Sequence, residues 1–214
     1  MSSRVTHLAD QLRRDISLGR VAPGSRLNIE ALKREQNLSH PSVREALALL
    51  AGEGYVSSEG NKGYHVLEVS LDSLRDTTRV RAELECTGLR WSAETNSTDW
   101  RAGIVAAHHA LSEIESEMHQ NSSDFLIEWD ERNKQFHMAL MRFCGSRQLM
   151  STVESYYDLT RRFRLMAYAK DPEDQLDWLQ RSSKEHNALK DTVLEGDITT
   201  AKKLLREHIT KSSL

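Results

Sequence analysis

The chain has 214 residues, of which 38% are hydrophobic and 29% are charged. This composition is typical of a folded globular protein, and no stretch approaches the roughly 18 consecutive apolar residues of a transmembrane helix. The N-terminus lacks the apolar core of a signal peptide. Cys86 and Cys144 form neither a disulfide framework nor a CxxC zinc motif. These features predict a cytoplasmic protein.

Charged residues, glycines and prolines are distributed unevenly along the chain, whose net charge is −3. Residues 1–67 contain nine Lys and Arg against seven Asp and Glu, which gives +2, whereas residues 68–214 contain 20 against 25, which gives −5. Six of the ten glycines and two of the three prolines also precede residue 68. A mildly basic first third permits contact with nucleic acid. We therefore predict two domains, 1–68 and 69–214.

The first domain has the element pattern of a winged helix-turn-helix. Apolar residues at helical spacing predict an opening helix over Val5–Ile16. A short second helix is predicted over 28–36, and a third begins near Ser39, which is a suitable N-cap. Two short strands, 55–57 and 64–67, then flank a polar tip. Three helices followed by a hairpin predict this fold.

The second domain is predicted to be all helical, because helical periodicity continues throughout it without a strand pattern or an internal repeat. Short connections between successive helices favour an antiparallel bundle. The fold class is therefore mainly α. The predicted helices span about 70–94, 98–120, 123–143, 147–169, 173–195 and 197–211.

The third predicted helix has the features of a DNA recognition helix, namely an apolar inner face and polar residues near its N-terminal end. Arg44 can contact guanine with two hydrogen bonds or bind a phosphate, and His40 and Ser42 can reach bases or phosphates. Lys62, at the tip of the hairpin, can reach a minor groove or the DNA backbone. The inner face consists of Val43, Ala46, Leu47 and Leu50.

The stretch from Leu8 to Val66 resembles the DNA-binding domain of the GntR family of bacterial regulators. The matching motifs, in the family's order and spacing, are Asp15-Ile16 with Gly19, Pro23-Gly24-Ser25-Arg26-Leu27, Pro41-Ser42-Val43-Arg44-Glu45-Ala46-Leu47, Glu53-Gly54, and Lys62-Gly63 with Val66. The resemblance implies that Arg44 contacts a base or phosphate, and that Lys62 and Gly63 approach the minor groove. The candidate DNA-contacting residues are Arg44, His40, Ser42, Ser39, Lys62, Gly63 and Lys33.

Two of these residues depart from the family pattern. His40 stands where the family usually has Arg, which changes the expected base preference, since His and Arg read guanine differently. Lys33 stands where the family often has Ala, and it is expected to add a phosphate contact. Neither departure affects the predicted fold.

Polar residues on apolar helix faces mark a candidate site in the second domain. Asn133 and His137 are four residues apart and therefore share one face. His186 and His208 lie on apolar faces of later helices, and imidazole suits zinc, nickel or a similar divalent ion. Spacing alone leaves open that these are hydrogen-bonded core histidines. The other histidines of this domain have no such pattern and are predicted to lie at the surface: His108, His109 and His119.

Residues 70–211 resemble the FCD ligand-binding domain of the FadR-like branch of the same family. The matching residues are Arg81-Ala82-Glu83-Leu84-Glu85, Phe136-His137 followed by Gly145, Glu185-His186, and Gly196-Asp197 followed by Ala201 and His208. The resemblance implies a homodimer and a bundle of six or seven helices around a polar cavity. It also implies a divalent metal held by His137, His186 and His208.

Asn133 stands where metal-binding members usually have Asp, and an amide is a poorer ligand than a carboxylate, so we expect reduced metal affinity. The family's effectors are commonly small carboxylates. Arg81 is the best candidate for a carboxylate clamp, because guanidinium binds a carboxylate with two hydrogen bonds. The candidate effector-contacting residues are Arg81, Arg164, Glu85 and Tyr157.

The resulting hypothesis is a transcriptional regulator, most simply a repressor, whose dimer binds a palindromic operator and releases it when an effector binds the helical domain. One alternative is a helical metal-dependent hydrolase that uses the three histidines and a water. The absence of an evident general base beside them argues against it. A second alternative is a dimerisation body without a ligand.

Overall fold

The fold is described here from a computed structural model. Contacts within the chain divide it into two units, Met1–Leu71 and Asp72–Leu214. No helix in the described part of the chain is long and apolar enough to cross a membrane. The residues that the structure describes are 3–58, 63–68, 70–118, 125–169 and 172–212.

The first unit is a winged helix-turn-helix, as predicted. A three-stranded antiparallel sheet has the order β1-β3-β2. The strand β1 (Arg26–Leu27) was not predicted, because two residues are too few to show the alternation of apolar and polar residues that marks a strand. It forms because Leu27 pairs with Tyr64 of β3, which is distant in the sequence. The elements are α1 (Ser3–Ser17), β1 (Arg26–Leu27), α2 (Ile29–Gln36), α3 (His40–Gly52), β2 (Val56–Ser58) and β3 (Tyr64–Val66).

The core of this unit joins the helices to the sheet. The apolar face of α1 packs against that of α3, and the predicted inner face of α3 is fully buried. Burial of an aliphatic side chain contributes about 1.5–3 kcal/mol, so this face fixes the rotation of α3 about its own axis. The opposite face of α3 is therefore left for contacts with a partner. The principal core residues are Val5, Leu8, Leu12, Val43, Leu47, Leu50, Tyr55, Val56 and Val66.

The second unit is all helical within the described residues, as predicted. Its helix bounds agree closely with the sequence pattern, except that the predicted start near Ser123 lies outside the described residues. Gly196, directly after α8, has a φ of 87°, a left-handed conformation that favours glycine and ends the helix. The helices are α4 (Leu71–Glu94), α5 (Thr98–Met118), α6 (Leu126–Met141), α7 (Arg147–Ala169), α8 (Pro172–Glu195) and α9 (Ile198–Ser212).

Buried polar side chains are concentrated in this second unit. Its apolar core includes Trp129, Phe136 and Leu189, and α5 packs against both α6 and α8. Buried polar groups require hydrogen-bond partners, so their presence in such numbers indicates a network rather than a purely apolar core. The buried polar residues around the histidines are Arg81, Glu85, Glu115, Asp130, Asn133, His137, Thr160, Arg164, His186 and His208.

Candidate functional site

The first turn of α3 is held by a side-chain cap. Ser39 Oγ accepts a hydrogen bond from the backbone N–H of Ser42 at 3.2 Å, and the two hydroxyl oxygens are 2.8 Å apart. A capping serine stabilises a helix by about 1 kcal/mol. Both hydroxyls thus fix the geometry of the helix end that a recognition helix presents to DNA.

The exposed face of α3 carries an arginine. Arg44 is exposed, and its guanidinium has no side-chain partner among the described residues. His40 Nε2 lies 3.8 Å from Glu30 Oε1, and Lys33 Nζ lies 3.4 Å from Glu30 Oε2. Glu30 thus lies near both His40 and Lys33 on one surface, whereas Arg44 makes no such contact among the described residues.

The wing is described only in part. Gly63 has a φ of 88°, and a Cβ there would lie 3.7 Å from the Arg26 side chain. A side chain at this position would strain the backbone because of the positive φ. Lys62, the other candidate of the wing, lies outside the described residues.

Three helices bring three of the predicted metal ligands together. His137 of α6, His186 of α8 and His208 of α9 are buried, and their ligand atoms lie within 4.8 Å of one another. The Nε2 atoms of His186 and His208 are 3.2 Å apart. Two imidazole nitrogens on one tetrahedral ion, each at about 2.0–2.1 Å from it, are about 3.4 Å apart. The observed separation fits a shared divalent ion.

Each histidine is paired through Nδ1 with a different glutamate. His137 Nδ1 lies 2.6 Å from Glu85 Oε2 and His186 Nδ1 lies 3.0 Å from Glu115 Oε1. His208 Nδ1 lies 2.8 Å from Glu185 Oε2. A carboxylate only accepts hydrogen bonds, so the imidazole donates from Nδ1 and its lone pair is on Nε2.

Burial and neighbouring charges favour neutral imidazoles at His137 and His208. Burial lowers the pKa of His137 to about 4, although Glu85 acts in the opposite direction. Burial, with His186 and His137 nearby, also lowers the pKa of His208. Burial acts to raise the pKa of Glu85, but the Arg81 charge and the hydrogen bonds from Arg81 and His137 lower it to about 2. Metal ligation requires neutral imidazoles.

Asn133 is the fourth predicted ligand, and Tyr157 orients it. The Tyr157 hydroxyl accepts from Asn133 Nδ2 at 2.7 Å and donates to the main-chain oxygen of Asp130 at 3.1 Å. Asn133 Oδ1 is buried without a hydrogen-bond partner among the described residues. A buried acceptor without a partner is uncommon, and an oxygen of this kind can serve as a metal ligand.

Arg81, the predicted carboxylate clamp, is already bound to an internal carboxylate. Its Nε donates to Glu85 Oε1 at 2.5 Å, and its Nη1 donates to Thr160 at 3.3 Å. Its guanidinium carbon lies 4.3 Å from the centre of the Tyr157 ring. The structure thus joins Arg81, Glu85 and His137 in one chain of contacts, which links the predicted effector residues to the metal ligands.

Arg164 occupies a second, adjacent ion pair. Its Nη2 lies 2.9 Å from Asp130 Oδ1, and its guanidinium carbon lies 3.8 Å from the Tyr157 ring centre. Arg161 donates to the other oxygen of Asp130. Burial alone would raise the pKa of Asp130, but the charges and hydrogen bonds of Arg164 and Arg161 outweigh burial and lower the pKa below its ordinary value. The buried carboxylate is therefore held ionised between two arginines.

Sequence reasoning missed four residues of this network and misplaced one. Three of them, Asp130, Thr160 and Glu115, lie on helix faces whose partners cannot be identified from spacing. The fourth is Glu185, which could have been noticed because it directly precedes His186 in the family motif. His108 was predicted at the surface and is buried, against the ring of Phe136 at 5.5 Å. That prediction was wrong because α5 packs against both α6 and α8. His109 is exposed, and His119 lies outside the described residues.

Two family models match the chain in succession. The model of bacterial regulatory proteins of the gntR family matches residues 4–66, and the FCD domain model matches residues 76–211. The HTH-type transcriptional regulator BphR of Paraburkholderia xenovorans is 36% identical over 205 residues, which cover 94% of this chain and 80% of the relative. The HTH-type transcriptional repressor GlaR of Escherichia coli is 30% identical over 198 residues, which cover 92% of this chain and 89% of the relative.

Solved structures share the fold at lower identity. E. coli McbR/YncC superposes with a TM-score of 0.73 and 20% identity, over 99% of this chain and 95% of that one. This likeness concerns the fold alone.

Proposed function

Because this chain belongs to the GntR family and carries an FCD domain, it is a DNA-binding transcriptional regulator, and we propose that it is a repressor controlled by a small carboxylate at a metal-centred site. The observation that carries this proposal is the convergence of His137, His186 and His208, next to the Arg81–Glu85 pair. In this proposal residues 1–68 bind operator DNA, and residues 69–214 bind the effector and form a homodimer. The name of GlaR as a repressor supports repression over activation.

The DNA-binding part of the proposal assigns direct contacts to α3. Arg44 contacts a base edge or a phosphate, Ser39 and Ser42 contact phosphate, and His40 reads a neighbouring position. Lys33 and the wing residues Lys62 and Gly63 add contacts at the periphery. The guanidinium of Arg44, which has no side-chain partner among the described residues, supports this assignment, since Lys33 is paired with Glu30.

DNA binding is tested with an operator selected from genomic fragments by the wild-type protein. Arg44→Ala is expected to weaken binding by about 1–3 kcal/mol and to relax the preference at one base, if the contact is to a base edge. A phosphate contact would instead weaken all sequences equally and reduce the salt dependence. Arg132→Ala, which removes an exposed guanidinium paired with Glu128, is the control. Unchanged binding by Arg44→Ala would refute the assignment.

The metal-binding part assigns His137, His186, His208 and Asn133 as ligands of zinc or nickel. The Nε2 separation and the unsatisfied Asn133 Oδ1 support this set. When bound, a divalent ion with these four protein ligands would supply a position for an anion by expanding to five or more ligands. Metal analysis of the purified protein is expected to give one equivalent, lost in His137→Ala and His186→Ala but kept in His109→Ala. Full occupancy in the first two variants would refute the site.

The effector-binding part assigns Arg81, Arg164, Glu85 and Tyr157 to a cavity for a small carboxylate. In this proposal Arg81 exchanges its contact with Glu85 for the effector, which makes Glu85 an internal competitor. Thermal shift of the wild type against a panel of mono- and dicarboxylic acids is expected to identify a stabilising acid. Arg81→Lys keeps the charge and loses the planar fork, so the stabilisation is expected to fall. An acid that stabilises both proteins equally would exclude Arg81.

The remaining alternatives differ in what they predict for the purified protein. The family and the names of its relatives place the chain among transcriptional regulators rather than enzymes. A dimerisation body without a ligand predicts neither metal nor a stabilising acid. Light scattering after size exclusion measures the proposed homodimer directly, and a monomer at all concentrations would contradict it.

A further inference from the structure

We propose that Glu85, Glu115 and Glu185 form a carboxylate shell that fixes the tautomers of the three histidines and thereby sets the metal affinity. This inference rests on the proposed metal site. The three glutamates belong to three different helices, α4, α5 and α8. Their oxygens lie 2.6, 3.0 and 2.8 Å from the Nδ1 atoms of His137, His186 and His208.

The same arrangement at all three histidines has one chemical consequence. A carboxylate bound to Nδ1 requires the proton there, so the lone pair of each ring is held on Nε2. The Nε2 atoms of His186 and His208 then face each other at 3.2 Å with their lone pairs. Two lone pairs at this distance repel unless a cation lies between them. The shell thus prepares the cluster for a cation before it arrives, and carboxylate–histidine–metal chains of this kind raise ligand basicity.

Glu115 shows why the shell needs a counter-charge. It is buried, and its Oε1 contacts His186 Nδ1 and, at 3.4 Å, the indole nitrogen of Trp129. Its Oε2 has no hydrogen-bond partner among the described residues. Glu85 has Arg81 as a cationic partner, whereas the hydrogen-bond partners of Glu115 among the described residues are an imidazole and an indole. A divalent ion on the far side of His186 would supply the charge compensation that a buried carboxylate requires.

Glu185 is the member of the shell that can be changed without opening the core. Its side chain is 25% exposed, compared with 0% for Glu85 and 3% for Glu115. Glu207 provides a matched control, because it lines the same surface pocket as Glu185 and His208 and carries the same charge. Glu207 is paired with Lys211 at 3.8 Å. Comparing the two separates the hydrogen bond to His208 from the mere loss of a nearby negative charge.

The test uses the full-length chain as wild type, Glu185→Ala, Glu185→Gln and Glu207→Ala. Zinc affinity is measured by competition with a fluorescent chelator, and the histidine tautomers of the metal-free protein by ¹⁵N NMR. Glu185→Ala is expected to weaken zinc binding about 10- to 100-fold and to release His208 from the Nδ1–H tautomer. Glu185→Gln keeps an acceptor oxygen and is expected to preserve the tautomer with a smaller loss of affinity.

The control and the contrary outcomes are distinct. Glu207→Ala is expected to keep zinc affinity within about twofold, because an exposed charge is screened by solvent. Equal affinities for Glu185→Ala and Glu207→Ala, or an unchanged His208 tautomer in Glu185→Ala, would overturn the shell while leaving the metal site. A wild-type chain that binds no zinc or nickel would overturn the metal site itself.

Discussion

Asn133 donates from Nδ2 to the Tyr157 hydroxyl at 2.7 Å, and this contact fixes which end of the amide is bound to the tyrosine. The hydroxyl donates its one hydrogen bond to the main-chain oxygen of Asp130, so its oxygen accepts the hydrogen bond from Asn133. The amide oxygen is therefore the atom left without a hydrogen-bond partner among the described residues. In the proposed metal site, a neutral amide therefore stands at the position of the expected carboxylate ligand and keeps its hydrogen bond to Tyr157.

Asn133→Asp is expected to tighten zinc binding and to destabilise the metal-free protein. The carboxylate is a stronger ligand, but it lacks the N–H that Tyr157 accepts and adds a buried negative charge. Loss of that hydrogen bond costs about 1–3 kcal/mol. Chelator competition gives the affinity, and urea unfolding in the presence of EDTA gives the stability. Equal zinc affinity in Asn133→Asp and wild type would show that residue 133 is not a ligand.

Metal removal is expected to lower the stability of the helical unit. Zinc at about 100 times its dissociation constant adds about 2.7 kcal/mol to the free energy of unfolding, because it binds the folded chain alone. For a chain of this size that corresponds to a rise in Tm of roughly 5–10 °C. Differential scanning calorimetry with and without EDTA measures the change. His208→Ala should show no such response, and a response as large as the wild type's would contradict the assignment of His208.

Asp130 is expected to make the helical unit sensitive to acid. Its folded-state pKa lies below the ordinary value of 3.8, because Arg164 and Arg161 outweigh the effect of burial. The carboxylate therefore stabilises the fold fully above its unfolded-state pKa, and this contribution is lost as the pH falls towards the folded-state pKa.

The Asp130→Asn variant tests this dependence. Leaving the buried Arg164 without the ionised carboxylate of Asp130 is expected to cost about 3–5 kcal/mol at neutral pH. The difference in unfolding free energy between wild type and variant should then shrink as the pH is lowered, when measured by urea unfolding between about pH 6 and pH 3. A difference that stays constant over this range would mean that the Asp130 pKa is not depressed by folding.

Gly88 is expected to be required for close packing of α4. A Cβ at this position would lie 2.8 Å from Met141 Cγ and 2.9 Å from Leu149 Cδ2. Gly88→Ala should therefore destabilise the protein by about 1–3 kcal/mol, despite the higher helix propensity of alanine. Gly103 in α5 has no atom within 4 Å of the corresponding position, so Gly103→Ala should stabilise by about 0.5–1 kcal/mol. Chemical denaturation of both variants decides whether packing or propensity dominates.

The helix pattern and the three histidines could be identified from the sequence because their signals are local. The spacing of apolar residues predicted which face of α3 is buried, and Ser39 is the N-cap of this helix, as its position predicted. The four-residue spacing of Asn133 and His137 put both on one face, where both are buried. The motifs around Arg44 and His137 also identified the family, since they are contiguous in the chain.

Only the tertiary structure decided which groups these residues meet. The three glutamates are 52, 71 and 23 residues from the histidines they contact, and Asp130 lies between two arginines of another helix. Periodicity determines which face of a helix is buried, but not the rotation and axial offset at which two helices pack. The burial of His108 and the pairing of β1 with β3 also depend on tertiary contacts that periodicity does not determine. The sequence by itself determined the candidate ligands and the helices that carry them, and the packing of those helices determined their hydrogen-bond partners.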